Sequence, residues 1–103
     1  MAAEAEAQSG GSNAAKYLNQ VRARAYGNNN HDYVSTEGDL LNVIFNERRK
    51  ELAGEGHRFF DLVRTGRAAQ AIEGFVAGKH ELFPIPFQEI QFSAGNWDQN
   101  PNY

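Results

Sequence analysis

Apolar positions recur along most of this chain at helical spacing, and glycines interrupt them. Residues 2–8 alternate Ala with Glu and favour helix by propensity. Ser9, Gly10 and Gly11 stop that segment, and Ser12 or Asn13 is placed to cap a second helix. Ala14, Leu18, Val21 and Ala25 then fall at i, i+4, i+7 and i+11, one face of a helix. Tyr17 flanks that stripe, while Lys16, Gln20, Arg22 and Arg24 lie off it. Gly27 closes the segment before the loop "GNNNHD". Two helices joined by a short glycine-containing turn predict an αα-hairpin.

A third helix is expected from Thr36, because "TEGD" reads as a capping box with Thr36 as cap and Asp39 three residues on. Leu41, Ile44, Phe45, Arg48 and Leu52 share its inner face, so Arg48 is the odd member of an apolar stripe. Gly54 and Gly56 weaken or end this helix. Phe59, Phe60, Leu62 and Val63 form a short apolar helical segment that Thr65 and Gly66 close. Residues 67–77 carry another amphipathic pattern in Ala68, Ala71, Ile72 and Phe75. From Glu81 the character changes. The prolines of "ELFPIPFQEI" impose extended backbone over Leu82–Pro86, and Pro86 is placed to open one helical turn through Ile90. The tail "SAGNWDQNPNY" is polar and turn-rich. Its apolar members, with those of the strap, should lie across the helices. No internal repeat of fixed period is present.

Composition narrows the chemistry. The chain has 103 residues, a formal net charge of −3 and no cysteine. One small domain is the natural organisation. The charge supplies no bulk positive field for nucleic acid, and thiolate metal sites and disulfides are excluded. No apolar run approaches the ~20 residues of a membrane span, and the opening "MAAEAEAQSGG" lacks the basic and apolar regions of a signal peptide.

The densest chemistry lies in "ERRKELAGEGHRFFDLVRTG", Glu47–Gly66. His57 and Asp61 are spaced to share a helix face, but His31 and His80 lie in separate loops, and zinc needs three or four ligands. Glu47, Glu51 and Glu55 fall at i, i+4 and i+8, the raw material of paired-carboxylate catalysis. Six cations (Arg48, Arg49, Lys50, Arg58, Arg64 and Arg67) crowd the same stretch. They lower carboxylate pKa values and disfavour a general acid. Against four anions the net is only +2, weak for nucleic acid. Nucleophile-elbow and phosphate-loop motifs are absent. The expected arrangement is an ion-pair network. Arg48 needs a carboxylate partner from Glu55 or Asp61, and Arg58 and Arg64 flank Asp61 at helical-neighbour spacing. With these residues in structural roles, the network would set the angle between the third helix and the Phe59–Val63 segment.

Four stretches, in order, resemble the C-terminal portion of the SusD/RagB family. They are "YLNQVRARA" (Tyr17–Ala25), "ERRKELAGEGHRFFDLVRTG" (Glu47–Gly66), "ELFPIPFQEI" (Glu81–Ile90) and "QNPNY" (Gln99–Tyr103). Gly54 departs from a larger residue usual in the family, Trp97 from an aliphatic, and Asn102 from a glycine. The resemblance implies a mainly α fold of tetratricopeptide-like helix pairs with an irregular, proline-containing C-terminal strap. It implies a C-terminal fragment, with residues 1–80 helical and 81–103 an extended tail packed on the helices. It further implies an outer-membrane, surface-exposed lipoprotein whose signal peptide and lipid anchor lie outside this chain. Such a protein captures a glycan or other nutrient without catalysis and delivers it to a SusC-like TonB-dependent transporter. No cofactor, metal, catalytic residue or nucleic-acid partner is implied. Trp97, Tyr103, Tyr33 and Phe87 are available for stacking on sugars, but none is assigned as a ligand contact. The competing expectations are a free-standing helical protein–protein interaction module and a glycoside hydrolase using Glu51 and Glu55.

Overall fold

A computed structural model describes residues 1–103. The fold is mainly α, of the tetratricopeptide-like helix-pair type, with no β-strand. The chain divides into two compact units, Met1–His57 and Arg58–Tyr103.

In the first unit, helices α1 (Ala2–Ser9) and α2 (Ala14–Tyr26) form the expected hairpin, and α3 (Leu40–Glu51) packs against both. Gly10 and Gly27 close α1 and α2 in the left-handed conformation. The core is Ala3, Ala14, Leu18, Val43 and Ile44, with Ala7, Tyr17, Tyr33 and Leu40 packed on it. Alanines at 3 and 14 let the helix backbones approach closely. Leu18 then fills the space between them, and burying such a side chain contributes ~2 kcal/mol.

The third helix starts later than its sequence suggests. Ser35–Glu37 form a 3₁₀ turn, Gly38 breaks the chain direction, and Asp39 caps α3 by accepting from the Asn42 N–H at 3.1 Å. Thr36 therefore does not cap α3. The buried side of α3 is Val43, Ile44, Phe45 and Glu47, rotated from the expected stripe, with Leu41, Arg48 and Leu52 half-buried. Arg48, Arg49 and Lys50 sit in the last turn, where cations meet the negative end of the helix dipole. Beyond it, Gly54 and Gly56 take φ of +83° and +75°, a region other residues rarely adopt, and this is why helix cannot continue.

In the second unit, α4 (Arg58–Arg64) buries Leu62 and α5 (Ala68–Ala71) buries Ala68. Thr65 and Gly66 end α4 as expected, the Thr65 hydroxyl donating to the Asp61 carbonyl at 2.7 Å. Only four of the amphipathic residues at 67–77 become helical, since Ile72 is already extended and Gly74 turns the chain. Phe59 packs near Phe60 and Phe75, with ring centroids 5.8 and 6.3 Å apart. Pro86 does open a helix, α6 (Phe87–Phe92).

The motif "QNPNY" acts as a clasp on the extended strap. Ile85 lies between Pro84 and Pro86, which carry no N–H, so Ile85 has the only complete amide pair there. Gln99 takes both halves: its Oε1 accepts from the Ile85 N–H at 2.7 Å and its Nε2 donates to the Ile85 carbonyl at 2.9 Å. Asn100 donates to the Phe83 carbonyl at 2.6 Å, Asn102 to Gly78 at 2.9 Å, and the Tyr103 hydroxyl to Leu82 at 2.8 Å. Asn102 holds φ of +68°, which Asn tolerates better than other non-glycine side chains. Gln99→Ala removes three half-buried hydrogen bonds, the third from the Asn100 N–H to Oε1, and is expected to cost ~2 kcal/mol, read as a lower denaturation midpoint. A Gln99→Glu variant, which keeps the acceptor and loses the donor, should fall between it and the native protein.

Candidate functional site

The charged centre of the first unit forms around Arg22. Leu18 lies one helical turn before it, so α2 carries Arg22 from the core toward α3 and the loop that follows α2. Arg22 and Glu47 are each only 8% exposed. Arg22 Nε donates to Glu47 Oε2 at 3.0 Å. Its Nη1 and Nη2 donate to the two oxygens of Glu37 at 3.0 and 2.9 Å, a bidentate pair, and Nη1 also reaches the His31 carbonyl at 3.1 Å. Lys50 lies 3.8 Å from Glu47, one turn away on α3. The Glu37 carboxylate, accepting these bonds, holds the guanidinium above its ordinary range. In return Arg22, with the Val34 N–H second, holds the Glu37 carboxyl below its usual value. One guanidinium thus ties two helices to the 3₁₀ turn. Asn19 adds a second tie by accepting from the Tyr33 N–H at 2.8 Å, and Tyr33 in turn donates its hydroxyl to the Gly38 carbonyl.

Beside this knot lies a cleft of about 420 Å³ among α1, α2 and α3. Its floor is apolar, with Ala3, Leu18, Val21 and Ile44, and its rim is charged, with Arg24, Arg48 and Glu51. Two of the rim charges pair with each other, since Arg24 Nη2 lies 2.6 Å from Glu51 Oε2.

The carboxylates singled out by spacing are thereby separated in role. Glu47 pairs with buried Arg22, Glu51 with exposed Arg24, and Glu55 with His57 at 3.9 Å in the glycine turn. Each is thereby engaged with a different basic side chain, so no two of them form a facing carboxylate pair of the kind paired-carboxylate catalysis needs. Asp61 pairs with Arg64 along α4 at 2.8 Å. Each of these pairs joins residues of one unit. The arginine that buries its charge is Arg22, which sequence spacing puts off the apolar stripe, and its partners are Glu47 and Glu37. Arg48 is half-buried, with Nη1 against the Met1 sulfur. A sequence signal for Arg22 does exist: it follows Ala14 and Leu18 at four-residue steps.

No group of three His, Asp or Glu side chains is arranged to hold a metal ion. Of the aromatic candidates, Tyr33 packs against the core and Tyr103 anchors the clasp, with the Lys79 ammonium 4.8 Å from its ring. Trp97 and Phe87 are exposed, as are Phe83 and Phe92. No helix is long and apolar enough to cross a membrane.

A helix-pair scaffold, tied by a buried arginine and finished by a proline strap, is the class of protein these features define. The chain belongs to the SusD family, whose profile matches residues 1–81. It is similar to the SusD-like protein P25 of Formosa agariphila, at 34% identity over 110 aligned positions, covering 88% of this chain and 20% of that protein. It is also similar to the SusD-like protein P2 of the same organism, at 31% identity over 119 positions, covering 100% of this chain and 24% of that protein. The chain thus spans a fifth to a quarter of the length of these relatives. No solved structure matches it closely enough to be significant.

Proposed function

We propose that this chain is the C-terminal portion of a cell-surface nutrient-binding protein. In this reading residues 1–80 form the helical part and 81–103 the strap. The protein binds a glycan or another nutrient without turning it over and passes it to a SusC-like TonB-dependent transporter in the outer membrane, to which it is held by a lipid anchor. The observation that carries the reading is the SusD family match over residues 1–81. Two features accord with it. The carboxylates of the Glu47–Glu55 stretch are engaged by Arg22, Arg24 and His57, which suits a scaffold. At the rim of the cleft, Arg24 and Glu51 are spent on each other.

The test uses the protein expressed from its own locus. Affinity electrophoresis against a panel of polysaccharides should show retardation by at least one of them, and chromatography of the bound sugar should show no product. Detergent extraction should bring down a large β-barrel transporter with the protein. Co-purification with a soluble partner alone would favour a free-standing interaction module. Release of shortened oligosaccharide, lost in Glu51→Gln, would replace binding with hydrolysis.

A further inference from the structure

The turn between Gly74 and Leu82 is held by its own side chains. His80 Nδ1 accepts from the Val76 N–H at 2.9 Å, and Glu81 Oε1 accepts from the Gly78 N–H at 3.0 Å. The backbone closes on itself through the His80 N–H to Val76 carbonyl bond, at 3.0 Å. The same few residues receive the end of the clasp, because Asn102 bonds the Gly78 carbonyl and Tyr103 the Leu82 carbonyl. Lys79 completes the contact by lying over the Tyr103 ring. The geometry therefore couples one imidazole to the anchoring of the C-terminal tail.

We propose that His80 is a proton-operated latch: neutral, it holds the turn that receives Asn102 and Tyr103; protonated, it lets that turn and the tail loosen. The reason is the direction of one hydrogen bond. An imidazole that accepts at Nδ1 must leave that nitrogen without a proton. Protonation makes Nδ1 a donor facing the Val76 donor, and the amide loses its partner. Histidine is the side chain whose charge changes in the mildly acidic range. None of the groups facing His80 gives the Val76 N–H a substitute acceptor. The Phe75 ring lies T-shaped to it, with centroids 5.7 Å apart, and a phenyl ring carries no N or O to take the place of Nδ1. The Glu81 carboxylate attracts the imidazolium, with Oε1 on the Gly78 N–H and Oε2 buried without a hydrogen bond, and neither oxygen accepts from Val76. Lys79 is directed to Tyr103, whose hydroxyl is committed to Leu82.

Amide hydrogen exchange on the whole protein, from about pH 7.5 to about pH 5 and corrected for intrinsic rates, tests the latch while NMR follows the His80 ring. Protection of Val76 should fall about fivefold across the ring's titration, the effect of one lost hydrogen bond, while Ile44 in α3 stays unchanged. The Ile85 amide, held by the clasp, should lose protection alongside Val76. His80→Asn presents an oxygen where Nδ1 stood and does not titrate, so Val76 protection should become flat with pH. Protection of Val76 that is constant through the native ring's titration overturns the proposal, as does a fall that persists in His80→Asn. If the Asn variant fails to hold the turn, the native profile alone decides.

Discussion

Arg22→Met is expected to lower the unfolding free energy by ~3 kcal/mol, measured by urea denaturation at neutral pH. Met matches the apolar stem of Arg without its guanidinium head, so packing along α2 is largely kept. What changes is Glu47. Its side chain stays buried against α3 while its strongest partner is gone, and Lys50 at 3.8 Å is an exposed cation that neutralises it weakly. An uncompensated buried charge is the costly case, because the ion has lost water and gained nothing. Glu37 suffers less, since a third of its side chain (33%) is already exposed and it can turn outward. The double variant Arg22→Met with Glu47→Leu should therefore recover most of the loss. Acid carries a second signature. The Glu37 carboxyl sits below its ordinary value of 4.5, so its contribution is fully present above that pH and is lost as pH falls through the lowered value. Native stability should hold from neutral pH down to that point and then decline, and Arg22→Met should remove the part of the decline that Glu37 supplies. A single-variant loss below ~0.5 kcal/mol would mean that Arg22 and Glu47 behave as a solvated surface pair.

That experiment bears on the feature which sequence pattern reads least well. The hairpin, the glycine break after α3, the α4 segment and the helix opened by Pro86 were all legible, because each is a local matter of period, glycine or proline. The start of α3 was not. Thr36 and Asp39 make a plausible capping box, but Glu37 is drawn onto Arg22, fifteen residues earlier, and the 3₁₀ turn that results leaves Asp39 to cap alone. The identity of the buried arginine failed for a related reason. Helical spacing puts Arg48 in the stripe of Leu41, Ile44, Phe45 and Leu52. The partners of α3 are α1 and α2, and they turn it so that Val43 and Glu47 face inward instead. Glu47 and Arg22 are twenty-five residues apart, a separation no window of local periodicity spans. Residues 67–77 show the opposite failure. Their pattern is amphipathic, yet helix survives only over Ala68–Ala71, since short helices depend on packing more than on propensity.

The tail motif teaches a different lesson about what a sequence pattern records. Gln99, Asn100, Asn102 and Tyr103 look like turn-formers by composition. Their side chains are spent on the backbone of Gly78, Leu82, Phe83 and Ile85, the last of which lies between two prolines. Proline in the strap and amide side chains in the tail are thus two halves of one device. Neither half is interpretable until the other is placed beside it. Meanwhile Phe83 remains 85% exposed, so the strap is held by polar contacts with the backbone and not by burial of that side chain.

Leu18→Ala is expected to cost ~3 kcal/mol, for a reason independent of charge. Leu18 is 2% exposed and lies at the centre of the set formed by Ala3, Ala14, Val43 and Ile44. Two of those neighbours are alanines, which have no side chain long enough to swing into the space that truncation leaves. The cavity should therefore stay open, adding its own penalty to the lost transfer energy. A unit the size of Met1–His57 holds on the order of 3–8 kcal/mol in total, so the change approaches the whole of its stability. Loss of helical circular dichroism from this unit at a markedly lower urea concentration is the measurement. Leu18→Met, which keeps the volume, should lose less than ~1.5 kcal/mol. If Leu18→Ala costs no more than Leu18→Met, the helices can close over the gap, and the backbones that Ala3 and Ala14 bring together are not as tightly packed as their burial requires.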